Sequence, residues 1–441
     1  MSVPGAPVAP LRHLGRFRLV AVGINSVIGG GIFIMPATVA ALVGPASIVA
    51  YVLAGAVVVG VGLALASLAA RYETSGGPYL YVHRAFGGFA GFQIGWLFCL
   101  ARLTAAANLI NGFAQYIGAL FPAAAHPLAR GAIIVACAGS IMILNMIGIR
   151  QTSGASNLFA VAKVLPLIAL GLGGLYFMKT ANFTPTPVEP MGMLRAVLLL
   201  IFVFSGFEIL TVPAEESLKP RSDMPFAVIA TIGVVSAIYL LTHTVVTGML
   251  PDLAKDPAPL ATAAAIMAGP AGRYAMTAIA ATSMAGCALI SLVGGTRLLY
   301  AMSSARQIPW WMGSLDAAWR TPVKATFLMG GLATVLAIQS AYDTLAAVSA
   351  GTRMLVYLTC CLASLKMADA AGGAASTSAR RRLVPALTAI AIAVLLCGLK
   401  GREAGWGAFG IGLGTVLYFG MSLYAGARRG RAAEAVGGRG Q

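Results

Sequence analysis

Three glycines in succession, Gly29-Gly30-Gly31, stand in the middle of the apolar stretch Val22-Gly23-Ile24-Asn25-Ser26-Val27-Ile28-Gly29-Gly30-Gly31-Ile32-Phe33-Ile34-Met35-Pro36. Each glycine inside a helix costs about 1 kcal/mol relative to alanine, so the triplet is expected to interrupt one. If the stretch crosses a membrane, unwound backbone is tolerated there only where it faces protein or a watery cavity. A helix restarting at the glycines aims free amide N–H groups and the positive end of its dipole into that cavity, which suits a carboxylate. The carbonyls that end the preceding half-helix suit an ammonium. A second stretch, Leu200-Ile201-Phe202-Val203-Phe204-Ser205-Gly206-Phe207-Glu208-Ile209-Leu210, carries a small pair at its middle and an acid two residues later. Close packing of small residues is the competing explanation for such glycines, but three in a row serve packing poorly.

The elements that must position these residues follow from composition. The chain has 441 residues, of which 59% are hydrophobic and 10% charged, against about 45–50% apolar and about 25% charged in soluble domains. Its mean hydropathy is +0.86. A net charge of +17 forms no stripe of the kind that binds nucleic acid, because the basic residues lie thinly between apolar runs. Windows of membrane-spanning length fall near 19–43, 47–70, 88–121, 128–148, 156–178, 190–212, 225–250, 270–303, 322–341, 343–366, 383–399 and 404–425. Lys and Arg are concentrated on the connectors that share a side with the termini. By the positive-inside rule the termini and the 71–87, 213–224, 304–321 and 367–382 loops are expected to be cytoplasmic. Arg12, Arg16 and Arg18 precede the first span without a small-residue cleavage pattern, so a retained first helix is expected rather than a signal peptide. The stretch 368–379 and the tail after Arg428 read as flexible, solvated segments.

Charges inside a membrane span cost about 2.5–3.5 kcal/mol at a helix centre, and Arg102, Lys163, Glu208 and Arg353 are of this kind. Arg353, in the tenth span, has an interface within reach and is assigned no role. Ser283 and Ser291 lie about two turns apart on roughly one face of the eighth span; they line the same cavity or bond their own backbone. Cys99, Cys137, Cys287, Cys360, Cys361 and Cys397 sit in or at the edge of apolar runs, and His13, His83, His126 and His243 have no metal spacing, so neither a disulfide framework nor a metal site is expected. No nucleophile–base pattern or phosphate loop stands out, which argues against an enzyme and against ATP-driven transport.

Asn25 to Phe33 followed by Pro36, the run Ser205 to Glu208, Glu215-Glu216 with Pro220, Asp223 and Pro225, Ser75-Gly76-Gly77-Pro78-Tyr79, and the stretch Arg297 to Pro309 together resemble the amino acid-polyamine-organocation superfamily. The resemblance covers nearly the whole chain. It implies the leucine-transporter fold: an all-α membrane protein of twelve transmembrane helices, in which two inverted five-helix repeats (about 19–178 and 190–366) are followed by two extra helices (about 383–425), with helices 1 and 6 discontinuous. Residues 1–18 and 426–441 are then cytoplasmic segments flanking one transporter domain, 19–425. The resemblance also implies that backbone amides of Gly29, Gly30 and Gly31 hold a substrate carboxylate. Carbonyls of Val27, Phe202 and Ser205 then hold its amine. Relatives commonly have serine where this chain has Gly30, so recognition falls on the main chain alone. Phe202 matches an aromatic gate. Lys163 matches a lysine that stands where sodium-coupled relatives bind a cation, and Glu208 matches an acid that carries a proton or pairs with another charge. Arg102 departs from relatives, which are expected to be neutral there: it pairs with Glu208, faces an acidic substrate side chain as a bidentate donor, or contacts lipid interface or water.

The expected function is secondary transport of L-amino acids across the cytoplasmic membrane, by exchange or by proton symport. Ala105, Ala106, Phe202 and Phe207 favour neutral side chains, and Arg102 keeps acidic ones open. A polyamine or amine carrier would leave the amide nest unused. A reading of another class is a membrane-embedded sensor or channel. The partners expected are the substrate and the bilayer, without cofactor, metal or nucleic acid; the sequence leaves the oligomeric state open.

Overall fold

The computed structural model describes residues 15–72, 76–147, 153–185, 187–211, 217–316, 319, 321–369 and 375–437; for 153–160, 369, 375–381, 422 and 424–437 it describes the backbone alone. Ser75 and Glu215-Glu216, which carry part of the resemblance, lie outside these residues, as do 1–14 and 438–441 of the expected terminal segments. The described residues form α-helices and short 3-10 turns with no strand. In chain order the α-helices are α1 (Arg16–Val27), α2 (Gly31–Val43), α3 (Ser47–Ala69), α4 (Gly77–Phe86), α5 (Gly88–Leu120), α6 (Pro127–Ile147), α7 (Ser153–Gly174), α8 (Pro190–Phe204), α9 (Pro220–Met249), α10 (Pro259–Ser304), α11 (Val323–Gln339), α12 (Tyr342–Asp369), α13 (Ala375–Leu396) and α14 (Gly401–Gly437).

Among the described residues seven helical stretches are long and apolar enough to cross a membrane, and four shorter apolar helices accompany them. Large side chains such as Val52 and Leu63 on α3, Val135 and Ile143 on α6, and Ile390 and Val394 on α13 point outward. A water-soluble protein rarely exposes apolar surface on this scale; around a helical bundle it is the face that meets lipid. The chain is an integral membrane protein. The long helix α5 is the most enclosed of these stretches, packing chiefly against α10 and α12. At about 1.5 Å per residue its 33 residues exceed the roughly 30 Å of a bilayer core, so it tilts or projects.

Three sequence readings change. The eighth apolar window is preceded by an extra helical segment: α10 starts at Pro259 and breaks at Ala268-Gly269, where Gly269 has φ +63° ahead of Pro270. Helix resumes at Ala375, within a stretch read as flexible, and α14 runs to Gly437 beyond Arg428. Alanine and arginine are strong helix formers, so these helices outlast the apolar run that hydropathy detects. The 71–87 loop, expected as a cytoplasmic connector between spans, contains the short helix α4.

Candidate substrate site

The first apolar stretch is broken where the triplet stands. Helix α1 ends at Val27, residues 28–30 are a bend, and α2 begins at Gly31 with Gly30 as its uncapped N-cap. Among the described residues the N–H groups of Gly29, Gly30 and Gly31 have no backbone acceptor, the usual state of a helix's first amides when no side chain caps them. The carbonyls on the other side of the break are engaged. Buried Lys163 of α7 donates through Nζ to Asn25 O (3.3 Å) and Ile28 O (3.2 Å), and lies 3.5 Å from Cys287 Sγ. Ser283 of α10 donates to Ile28 O at 3.0 Å, and the Tyr239 hydroxyl donates to Val27 O at 3.0 Å.

The second break lies against the first. Helix α8 ends at Phe204, and a 3-10 turn resumes at Phe207. Between them Gly206 has φ +123°, and a Cβ there would stand 2.6 Å from Ser26 O, so both conformation and space require glycine. The Ser26 hydroxyl donates to Gly206 O at 3.2 Å. Gly31 faces α8 so closely that a Cβ would lie 2.9 Å from Val203 Cα. Tyr239 spans the two helices, its hydroxyl also lying 3.4 Å from Val203 O.

Glu208 is fully buried and accepts from Arg353 of α12, from the Gly206 N–H (2.8 Å) and from the Tyr357 hydroxyl (3.1 Å). This settles the place of Arg353 and corrects one reading of Arg102. Arg353 does not reach an interface: it is 2% exposed and its partner is Glu208. Arg102 does not pair with Glu208, because Arg353 on the facing helix α12 takes that place. A second buried pair, Arg195 of α8 with Glu403 of α14, is bidentate; sequence reading passed over it because each residue lies near the end of an apolar run.

One cavity opens between the breaks. Its wall comprises Ser26, Val27, Gly29, Gly30 and Gly31 from the first, Phe202, Val203, Ser205 and Gly206 from the second, Arg102, Ala105 and Leu109 of α5, Cys287, Ile290 and Ser291 of α10, and Arg353. Of the residues singled out from sequence, Val27, Gly29, Gly30, Gly31, Arg102, Phe202, Ser205 and Ser291 line it, while Lys163 and Glu208 stand directly behind it. Phe202 packs edge-on against Tyr342, 6.4 Å between ring centres. Phe202 O already accepts from both the amide (3.2 Å) and the hydroxyl (2.7 Å) of Ser205, which fills its two lone pairs; Val27 O keeps one. Tyr239, Cys287 and Ser26 were missed by sequence reading. The only signal for them is a polar atom inside an apolar run that must find a partner.

Two interrupted helices thus meet at one cavity, with free amides on one side and carbonyls on the other. Residues 14–401 match the amino acid permease family, and the chain belongs to that family. It is similar to the branched-chain amino acid permease BcaP of Bacillus subtilis, 26% identical over 356 residues, 76% of each chain. It is also similar to a methylthioribose transporter of the same organism, 28% identical over 74% of each chain. The aromatic amino acid transport protein AroP of Corynebacterium glutamicum is 29% identical over 70% of each chain. Family and relatives are transporters, as the residues that carry the resemblance led one to expect.

Proposed function

We propose that the protein is a secondary carrier of α-amino acids that works by alternating access in the cytoplasmic membrane. The amide N–H groups of Gly29, Gly30 and Gly31 hold the carboxylate, and the carbonyls of Val27 and Ser205 hold the ammonium. Phe202 O becomes available only if the Ser205 hydroxyl turns away. Phe202 with Tyr342 gates one side. The observation that carries this reading is the unpaired amide nest at Gly29–Gly31 opening onto the same cavity as the second helix break.

Counting α1 with α2, and α8 with residues 207–211, as one crossing each gives twelve crossings with α3, α5, α6, α7 and α9 to α14. We read these as one domain, 19–425, of two inverted repeats (19–178 and 190–366) and two added helices (383–425), with both termini cytoplasmic by the positive-inside rule. Inverted repeats place a site where their interrupted helices meet. Lys163 offers a fixed ammonium to the carbonyls of the first break, the position a coupling cation would take, and couples the state of α1 to transport. The reading is not that of an enzyme.

Purified protein in liposomes, with and without unlabelled amino acids inside, tests this with a labelled amino-acid panel under an inward proton gradient or none. Uptake that requires preloading identifies an exchanger, and uptake into empty vesicles that rises with the gradient identifies a symporter. Equal uptake of amines lacking a carboxylate would replace the reading with an amine carrier, and ligand binding without flux would replace it with a sensor.

A further inference from the structure

The cavity wall carries a charge that has no ion-pair or hydrogen-bond partner among the described residues. Arg102 is 3% exposed and lines the cavity. Its guanidinium lies over the Phe98 ring, 4.9 Å from the centre, and its Nε is 3.7 Å from where a Cβ on Gly294 would stand. Ring and helix backbone thus flank the head group. Among the described residues none accepts a hydrogen bond from it or pairs with it, whereas the carboxylate of Glu208 is already taken by Arg353, Gly206 and Tyr357. The cavity wall and the pair behind it therefore carry two guanidiniums against one carboxylate. The Ser291 hydroxyl lines the same cavity, also without a partner among the described residues.

A guanidinium has five N–H donors in a planar fork, and leaving it buried and unpaired costs several kcal/mol. The ring face, worth roughly 0.5–2 kcal/mol, and the field of the nearby Glu208 carboxylate, which is bonded to Arg353, offset only part of that. A ligand that brings an anion removes the imbalance. The position fits the head-group site: Arg102, Ala105 and Leu109 follow one face of α5, and Leu109 Cδ2 is 3.0 Å from where a Cβ on Gly30 would stand. Seven residues of helix separate Leu109 from Arg102, a rise of about 10 Å, which leaves length for a side chain of a few carbons. Phe207, one of the residues that favoured neutral substrates, does not line the cavity; it is fully buried and packs on Tyr357.

We infer that Arg102, with Ser291 on the wall of the same cavity, is its side-chain subsite and receives a carboxylate at the end of the substrate's side chain, so that acidic amino acids are the preferred substrates. This rests on the reading of the glycine break as the head-group site. A carboxylate matches the fork with two parallel hydrogen bonds, and Ala105 leaves room for the carbons that precede it.

The test compares L-glutamate, L-aspartate, L-glutamine and L-leucine in two assays of purified wild-type protein: thermal stabilisation in detergent and counterflow in liposomes. Arg102→Gln and Arg102→Lys follow in the same assays. The wild type is expected to be stabilised by an acidic amino acid at concentrations at least about tenfold below those needed for leucine. Arg102→Gln is expected to lower the glutamate-to-leucine ratio about 10- to 100-fold, with Arg102→Lys restoring part of it. Without substrate, Arg102→Gln is expected to melt no lower than wild type, because it removes an unpaired buried charge; a structural role would lower it. Leucine exchange without binding of either acid, in the wild type alone, would overturn the inference and leave the permease reading intact. An unchanged ratio in Arg102→Gln would overturn it as well. Absence of any amino-acid binding would overturn the permease reading and with it the subsite, and a Gly30→Val variant with wild-type uptake would overturn the head-group site on which the subsite rests.

Discussion

At Gly30 the backbone is right-handed helical, φ −78° and ψ −24°, so glycine is needed there for room and not for conformation. A Cβ would stand 3.0 Å from Leu109 Cδ2 and 3.1 Å from Met284 Cγ, atoms of two side chains that yield to one methyl and not to a branched group. Gly30→Ala is therefore expected to retain measurable substrate binding. Gly30→Val, by overpacking worth about 1–3 kcal/mol, is expected to weaken it roughly 5- to 150-fold; a titration of both variants checks this. Lys163→Met removes the ammonium that two carbonyls of the first break accept from. Transport is expected to fall at least about tenfold, while the melting temperature shows the loss of one or two charged hydrogen bonds, about 1.5–3 kcal/mol each. Normal flux in that variant would remove the coupling role. Gly29–Gly31 and Lys163 were legible in the sequence because residue type alone is improbable in an apolar run. The partner of Arg353 was not, since which of two arginines reaches Glu208 depends on how α5 and α12 are rotated.

Between elements, two buried ion pairs hold the interrupted helix α8. Arg353 of α12 and Glu208 secure the end that follows the break, and Glu403 of α14 secures Arg195 at the start. Removing one member of a buried pair costs about 3–5 kcal/mol, whereas replacing both is often neutral. Glu208→Gln is expected to destabilise the protein by roughly that amount, and Glu208→Gln with Arg353→Met by clearly less than the sum of the single changes. Thermal unfolding in detergent measures both, and strict additivity would show that the pair does not act as a unit. The same cycle on Arg195 and Glu403 is expected to behave alike. Most helices were legible from apolar run length. The extension of α14 to Gly437 and the segment of α10 before Gly269 were not, because propensity continues a helix after hydropathy has fallen.

For the whole molecule, the distribution of breaks gives the physical basis of transport. Outer helices expose continuous apolar faces to lipid, while α1, α2 and α8 give up regular hydrogen bonding at one cavity. Backbone groups freed there have no water of the bilayer to satisfy them, so they are satisfied by a ligand, by Lys163, Ser283 and Tyr239, or by each other. The cavity was legible because Gly29–Gly31 and Ser205-Gly206 mark both breaks. Its side-chain end was not, since only the fold shows that Arg102 has no hydrogen-bond or ion-pair partner among the described residues. The most direct measurement is counterflow in liposomes of the amino acid that exchanges fastest, in competition with excess of either that amino acid or the amine formed by removing its α-carboxylate. If main-chain amides at Gly29–Gly31 hold the substrate, the amino acid competes fully, the amine competes at least about a hundredfold less well, and Gly30→Val weakens the exchange roughly 5- to 150-fold. Equal competition by the amine, or wild-type exchange in Gly30→Val, would contradict it.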